Sequence, residues 1–133
     1  MRNLQNTLIS RWYQQVWNQG IEKSIDDMLD DDVTVHGISD DVPLKGTNGF
    51  KGFYHDFKSQ FTDIDVTVED VIAEDDIECG RCSVKAVHKA TGKPVSFTGI
   101  AMVRIKDGKI TEGWNNFDFL KMNQQLGMKL VAQ

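Results

Sequence analysis

Along the chain, apolar residues recur first at intervals of three and four and later at every second position, so helices are expected before strands. Leu8, Ile9, Trp12, Tyr13, Val16 and Trp17 make one wide apolar face, which predicts a helix from about Asn3 to Gln19 closed by Gly20. Ile21, Ile25, Met28 and Leu29 repeat the pattern in a shorter helix. The acidic run Asp30, Asp31, Asp32 then reads as its solvated end. Phe50, Phe53, Tyr54, Phe57 and Phe61 predict a third helix with Thr47 as N-cap, and Val33 to Gly37 alternate like a short strand between the second and third helices.

From Asp63 the period falls to two. Ile64, Val66 and Val68 alternate with polar neighbours; so do Cys82, Val84, Ala86 and His88, and then Val95, Phe97, Gly99, Ala101, Val103 and Ile105. Short connections at Asp75-Asp76, Thr91-Gly92-Lys93-Pro94 and Asp107-Gly108 make these antiparallel. The last is a strong hairpin signal, because a type I′ turn needs positive φ at both residues. A final strand runs from Lys109 to about Phe117, and a terminal helix from Phe119 to Leu126 is expected with Asp118 as N-cap and Gly127 as its stop.

Helices followed by hairpin-linked strands indicate an α+β fold, with three helices packed on a highly curved, mostly antiparallel sheet of four to six strands. Such an arrangement encloses a tapering pocket. A length of 133 residues fits one domain spanning residues 1–133, and 40% hydrophobic with 26% charged residues is a globular balance. The net charge of −5 opposes nucleic-acid binding. Without a long apolar run, no membrane segment or signal peptide is expected and a cytoplasmic location is. Both faces of the long strands carry apolar residues, Val84 and Ala86 against Val87 and Phe97 against Ile100 and Met102, so a homodimer covering the second face is expected.

Candidate chemistry is sparse. Cys79 and Cys82 lie in a strand, roughly 10 Å apart on opposite faces, too far for a disulfide. No second Cys or His pair stands at zinc-ligand spacing and no phosphate loop is present, so neither zinc nor a nucleotide is expected, and no nucleophile elbow is found. His88 shares a strand face with Val84 and Ala86 and should point inward, while His36 lies among Val33, Val35 and Gly37; either can be a core histidine or a pocket group. Trp114, Asn116 and Asp118 share a strand face. Asp118, flanked by Trp114, Phe117 and Phe119, is expected to be partly desolvated, which suits a general acid or base; capping the last helix is its other role.

Val16-Trp17-Asn18-Gln19-Gly20, Asp32-Val33-Thr34-Val35-His36-Gly37, Ser96-Phe97-Thr98-Gly99-Ile100-Ala101 and the stretch from Arg104 to Gly127 together resemble the SnoaL-like polyketide cyclase family, of the nuclear-transport-factor-2-like superfamily of cone-shaped α+β folds. The resemblance implies a cofactor-independent cyclase or isomerase that acts by acid/base catalysis on a small, apolar, polyketide-like carbonyl compound. It implies Asp118, in the segment begun by Trp114, as the acid/base, with His36 and His88 in the pocket; Trp114, Asn116, Phe53, Phe57 and Trp17 are expected around the substrate. Gly113 stands where such cyclases often carry a histidine. A non-catalytic ligand-binding or dimerisation module of the same fold is the alternative.

Overall fold

The computed structural model describes residues 6–39 and 42–133. The first helix is divided: α1 (Leu8–Trp12) runs directly into a π-helical turn (Tyr13–Asn18), where a single α-helix was expected, and the expected start near Asn3 lies outside the described residues. At its N-terminus the Thr7 hydroxyl accepts from Ser10 N–H, and the Glu78 carboxylate accepts from Leu8 and Ile9 N–H at 3.3 and 2.8 Å. A side chain of the sheet therefore satisfies two of the donors a helix start leaves unpaired. Gly20 closes the turn with φ of 69°.

Then follow α2 (Lys23–Met28), β1 (Leu29–His36), β2 (Leu44–Lys45), α3 (Gly46–Gln60), β3 (Phe61–Glu74), β4 (Ile77–His88), β5 (Pro94–Lys106), β6 (Lys109–Phe117) and α4 (Phe119–Gln125). Helix α3 is preceded by Lys45 as its N-cap, two positions before the expected Thr47. The aspartates 30 to 32 belong to β1, not to a helix end. Leu29 and Val33 are buried while Asp31 and Asp32 face solvent, and the pairing of β1 with β6 shifts between Leu29 and Thr34 to accommodate them.

The six strands form one open sheet in the order β2-β1-β6-β5-β4-β3, antiparallel throughout except for the parallel β1–β6 pair. The Asp107-Gly108 turn has φ of 52° and 78°, as the hairpin signal requires. Helices α1 and α3 and the π-helical turn cover one face. Their buried residues, Ile9, Trp12, Val16, Phe50 and Tyr54, join Val33, Val66, Cys82, Val84, Phe97 and Ala101 in the core.

The other face carries a transverse row through four registers, His36–Trp114–Met102–Cys79–Ile72, with Ile100 beside it. Ile72 is 76% and Ile100 50% exposed, so both faces are apolar in part and only one is covered. Cys79 and Cys82 are free and on opposite faces. Among the described residues, no helix is long and apolar enough to cross a membrane, and no cluster of three or more His, Cys, Asp or Glu could hold a metal ion.

Candidate functional site

Between the helical layer and the sheet lies a cavity of about 70 Å³. Trp12, Tyr13, Phe50 and Phe97 are its buried walls, and the half-buried Trp17, Ile38, Phe53, Phe57 and Phe119 surround its more exposed part. The aromatic wall is braced edge to face: the Trp17 ring meets Phe50, Phe53, Tyr54 and Phe57 at centroid distances of 5.0–6.3 Å.

Two hydrogen-bonded clamps hold the π-helical turn over the sheet. Asn18 Nδ2 donates to the Val66 carbonyl at 2.9 Å while Val66 N–H donates to Asn18 Oδ1 at 2.6 Å, so this side chain pairs with β3 as a strand residue would. The Tyr54 hydroxyl donates to the Val16 carbonyl at 2.9 Å. Stretches of π-helix occur disproportionately at functional sites, and this one delivers Tyr13 and Trp17 to the cavity.

From the sheet, β6 contributes Asn115 and Phe117. The Phe117 ring lies where a Cβ on Gly99 would be, so only glycine at that position admits it. Asn115 Nδ2 donates to the His36 carbonyl at 3.0 Å, and its own carbonyl packs so closely on Gly37 that a Cβ there would collide with it. Gly37 also has φ of 88°, a conformation side chains resist. The amide of Asn115 is thus held from behind by the end of β1.

Tyr13 is 6% exposed. Burial, with a smaller contribution from Cys82, raises its phenol well above the usual value, so it is a neutral donor. Burial likewise pushes the Cys82 thiol up to about 12, helped by Cys79 and Glu69.

Of the residues expected at the site, the structure brings Trp17, Phe53 and Phe57 together around the cavity. It places the others elsewhere. Trp114, Asn116 and Asp118 do share a face, but that face is the outer one, because Gly113, Asn115 and Phe117 take the inner positions of β6. Asp118 is exposed, its carboxylate accepts from Lys121 N–H at 3.0 Å as the N-cap of α4, and it borders an open outer groove with Arg81, Ile100 and Asn116. The expected desolvation among Trp114, Phe117 and Phe119 is therefore corrected.

His36 also faces outward, with Nε2 2.7 Å from Glu112 Oε2 and its ring stacked 5.6 Å from Trp114. His88 keeps the inward parity but sits at the strand end, against the Phe61 ring at 5.3 Å with Nδ1 2.9 Å from the Thr91 hydroxyl, outside the cavity. The sequence reading missed Tyr13 and Asn115 as cavity groups. Their signals were a hydroxyl inside an apolar helical stripe and the position of Asn115 two residues before Phe117 on the inner face.

Against known proteins, the family profile described as SnoaL-like polyketide cyclase matches residues 7–126. Among solved structures, IdmH of Streptomyces antibioticus, a candidate polyketide cyclase, is 26% identical with a TM-score of 0.80 over 91% of this chain and 96% of that one. A candidate polyketide cyclase from Bacillus cereus is 30% identical with a TM-score of 0.81 over 92% of this chain and 80% of that one. A protein of ketosteroid-isomerase-like fold from Catenulispora acidiphila, 14% identical with a TM-score of 0.80 over 92% of this chain and 94% of that one, shares the fold. No curated protein matches the chain. The profile spans nearly the whole domain that encloses the cavity, and the chain belongs to the SnoaL-like polyketide cyclase family.

Proposed function

We propose that the protein takes a small, apolar carbonyl compound into the aromatic cavity and carries out cyclase- or isomerase-type chemistry on it. The observation that carries this reading is a cavity walled by nine aromatic rings and one anchored amide in a chain of the SnoaL-like family. In an aldol-type closure a proton leaves the carbon next to one carbonyl, that carbon bonds to a second carbonyl carbon, and the attacked oxygen ends protonated. Stiff aromatic walls favour such a step by holding a flexible chain in a reactive conformer. The reading does not route the proton through Asp118, whose carboxylate lies on the other side of the sheet.

The test is incubation with a short 1,5-diketone, followed by mass spectrometry and NMR for the ring-closed product. Ring closure above the uncatalysed rate, abolished when Phe53→Trp fills the cavity and retained in Asp118→Asn, is expected. Loss of turnover in a folded Asp118→Asn protein would return the chemistry to the outer groove.

A second reading, a non-catalytic carrier of the same ligand class, is favoured by one observation: no carboxylate or imidazole lines the cavity among the described residues. A substrate recovered unchanged from a stable complex would select it.

The uncovered outer row fits a second copy of this chain. Its flanks carry both signs, Arg81 beside Asp70 and Arg104 beside Asp76 and opposite Glu112, so a two-fold axis can set the cations of one copy against the anions of the other. Sedimentation at micromolar concentration is expected to show a dimer that Ile100→Lys dissociates; a monomeric wild type would overturn it.

A further inference from the structure

The cavity's polar groups have a property that packing does not account for. Polar groups inside folded proteins nearly always have a hydrogen-bond partner. The Tyr13 hydroxyl makes no hydrogen bond among the described residues; because no fully buried side-chain polar atom there lacks a partner, its oxygen is reached through open space, although the residue as a whole is more than nine-tenths buried and lines the cavity. Tyr54, one helix away and equally buried, shows the ordinary solution, because its hydroxyl donates to Val16. Asn115 is half-satisfied in the complementary sense. One of its two amide N–H groups donates to the His36 carbonyl, which fixes the orientation of the side chain and leaves Oδ1, an acceptor, without a partner among the described residues. One free donor on the helical side and one free acceptor on the sheet side thus border the same apolar space.

We propose that Tyr13 and Asn115 are the two polar anchor points of the ligand, and that the ligand is an uncharged ring compound whose carbonyl oxygen accepts from Tyr13 and whose hydroxyl donates to Asn115. The proposal rests on the reading of the cavity as the ligand site and narrows its substrate class. Two observations favour a neutral ligand. No charged side chain lines the cavity among the described residues, so a buried carboxylate would lose its hydration with no cation to replace it. A phenol that keeps its proton is a donor at any physiological pH, suited to a carbonyl oxygen or the enolate oxygen that grows from it.

The size points the same way. At about 70 Å³ the space is roughly half that of an engineered cavity of about 150 Å³ that admits benzene. One ring edge with its oxygen substituents therefore enters between the Tyr13 and Asn115 anchors, and the rest of a larger molecule lies among Trp17, Phe53 and Phe57.

The test compares four probes by NMR titration and calorimetry: acetophenone with a carbonyl alone, phenol with a hydroxyl alone, ethylbenzene with neither, and benzoate with a charge. Expected is that Tyr13→Phe weakens acetophenone by about three- to ten-fold, the worth of one neutral hydrogen bond, and leaves ethylbenzene unchanged. Asn115→Ala is expected to do the same to phenol, and benzoate is expected not to bind.

Tyr13→Phe also carries a readout independent of ligand. It deletes a hydroxyl that bonds to no other group among the described residues, so the melting temperature of the free protein is expected to stay the same while affinity falls, whereas loss of a structural hydroxyl would lower it. Equal acetophenone affinity in Tyr13→Phe, a lowered melting temperature, or benzoate binding as tight as acetophenone would overturn the proposal while leaving the cavity as the ligand site. Failure of every neutral probe to bind would overturn both.

Discussion

The two faces of strand β6 differ by one residue in register and by everything in environment. Asn115 and Phe117 look into the aromatic cavity, and Gly113 is buried on the same face under the helices. Glu112, Trp114, Asn116 and Asp118 look out, where Glu112 meets His36, Trp114 meets His36 and Arg104, and Asp118 caps a helix. The outer face has the residue types usually associated with catalysis, and the inner face has hardly any. A sheet can thus display its acids, bases and tryptophan on one side and keep its enclosed space on the other, so residue type by itself does not locate a pocket.

The widest separation between the faces is expected in core truncation. Phe97 is 4% exposed on the inner face of β5, and Ile100 is 50% exposed on the outer face. Phe97→Ala is expected to destabilise by about 3–5 kcal/mol through lost burial and an enlarged cavity. Ile100→Ala is expected to stay within about 0.5 kcal/mol in the monomer. Urea unfolding of both variants measures the difference; equal losses would mean that the outer face is as enclosed as the inner one.

Next in size is a change that adds atoms to the inner face. Gly99→Ala places a methyl group where the Phe117 ring lies, and overpacking of this kind costs about 1–3 kcal/mol. Because Phe117 lines the cavity, the same variant is expected to weaken acetophenone binding, whereas Gly52→Ala, in α3 with open space around its Cβ, leaves binding unchanged. Unaltered binding in Gly99→Ala would detach Phe117 from the site.

These two positions also show what the sequence made legible. Periodicity alone separates Phe97 from Ile100 and groups Gly113, Asn115 and Phe117 against Trp114, Asn116 and Asp118, and both partitions agree with the structure. The order of helices and strands, the Asp107-Gly108 turn and the cap at Asp118 follow equally from local chemistry. Which side of β6 faces inward does not follow from alternation, since a period of two is the same read from either face. Phe117, Phe97 and Ala101 are paired through Gly99 and Asn115, and that cross-strand register was needed to choose. Likewise, the π-helical turn that orients Tyr13 depends on Asn18 and Tyr54 reaching β3 and Val16, contacts invisible to a helical stripe.

A third probe of the contrast uses protons. The inner-face Cys82 thiol is pushed from its usual 9.0 up to about 12, chiefly by burial. The native state therefore holds this proton after the unfolded chain has released it. Stability from this source is complete below about pH 9 and declines as pH rises from about 9 toward 12. Thermal melts of the wild type are expected to fall over that window, and Cys82→Ala is expected to lower the starting stability but flatten the decline. An equally steep decline in Cys82→Ala would assign it to other groups, Tyr13 first, whose phenol is also raised.

The smallest effect is expected on the outer face, at the contact between His36 and Glu112. His36 Nε2 and Glu112 Oε2 are 2.7 Å apart, yet both side chains are about one-third exposed, so water already stabilises each partner when the contact is broken. Glu112→Gln keeps a hydrogen-bond acceptor and is expected to cost less than about 1 kcal/mol, with part of that loss vanishing in molar salt. The His36 ring also retains its stacking on Trp114, which needs no charge on Glu112. Ligand affinity gives the sharper measurement, because the His36 carbonyl anchors Asn115 from the backbone and is indifferent to what its imidazole does. Acetophenone and phenol are expected to bind Glu112→Gln as they bind the wild type. A several-fold loss would mean that the outer pair sets the position of β1 against β6, and that the two faces are coupled through the Asn115 amide.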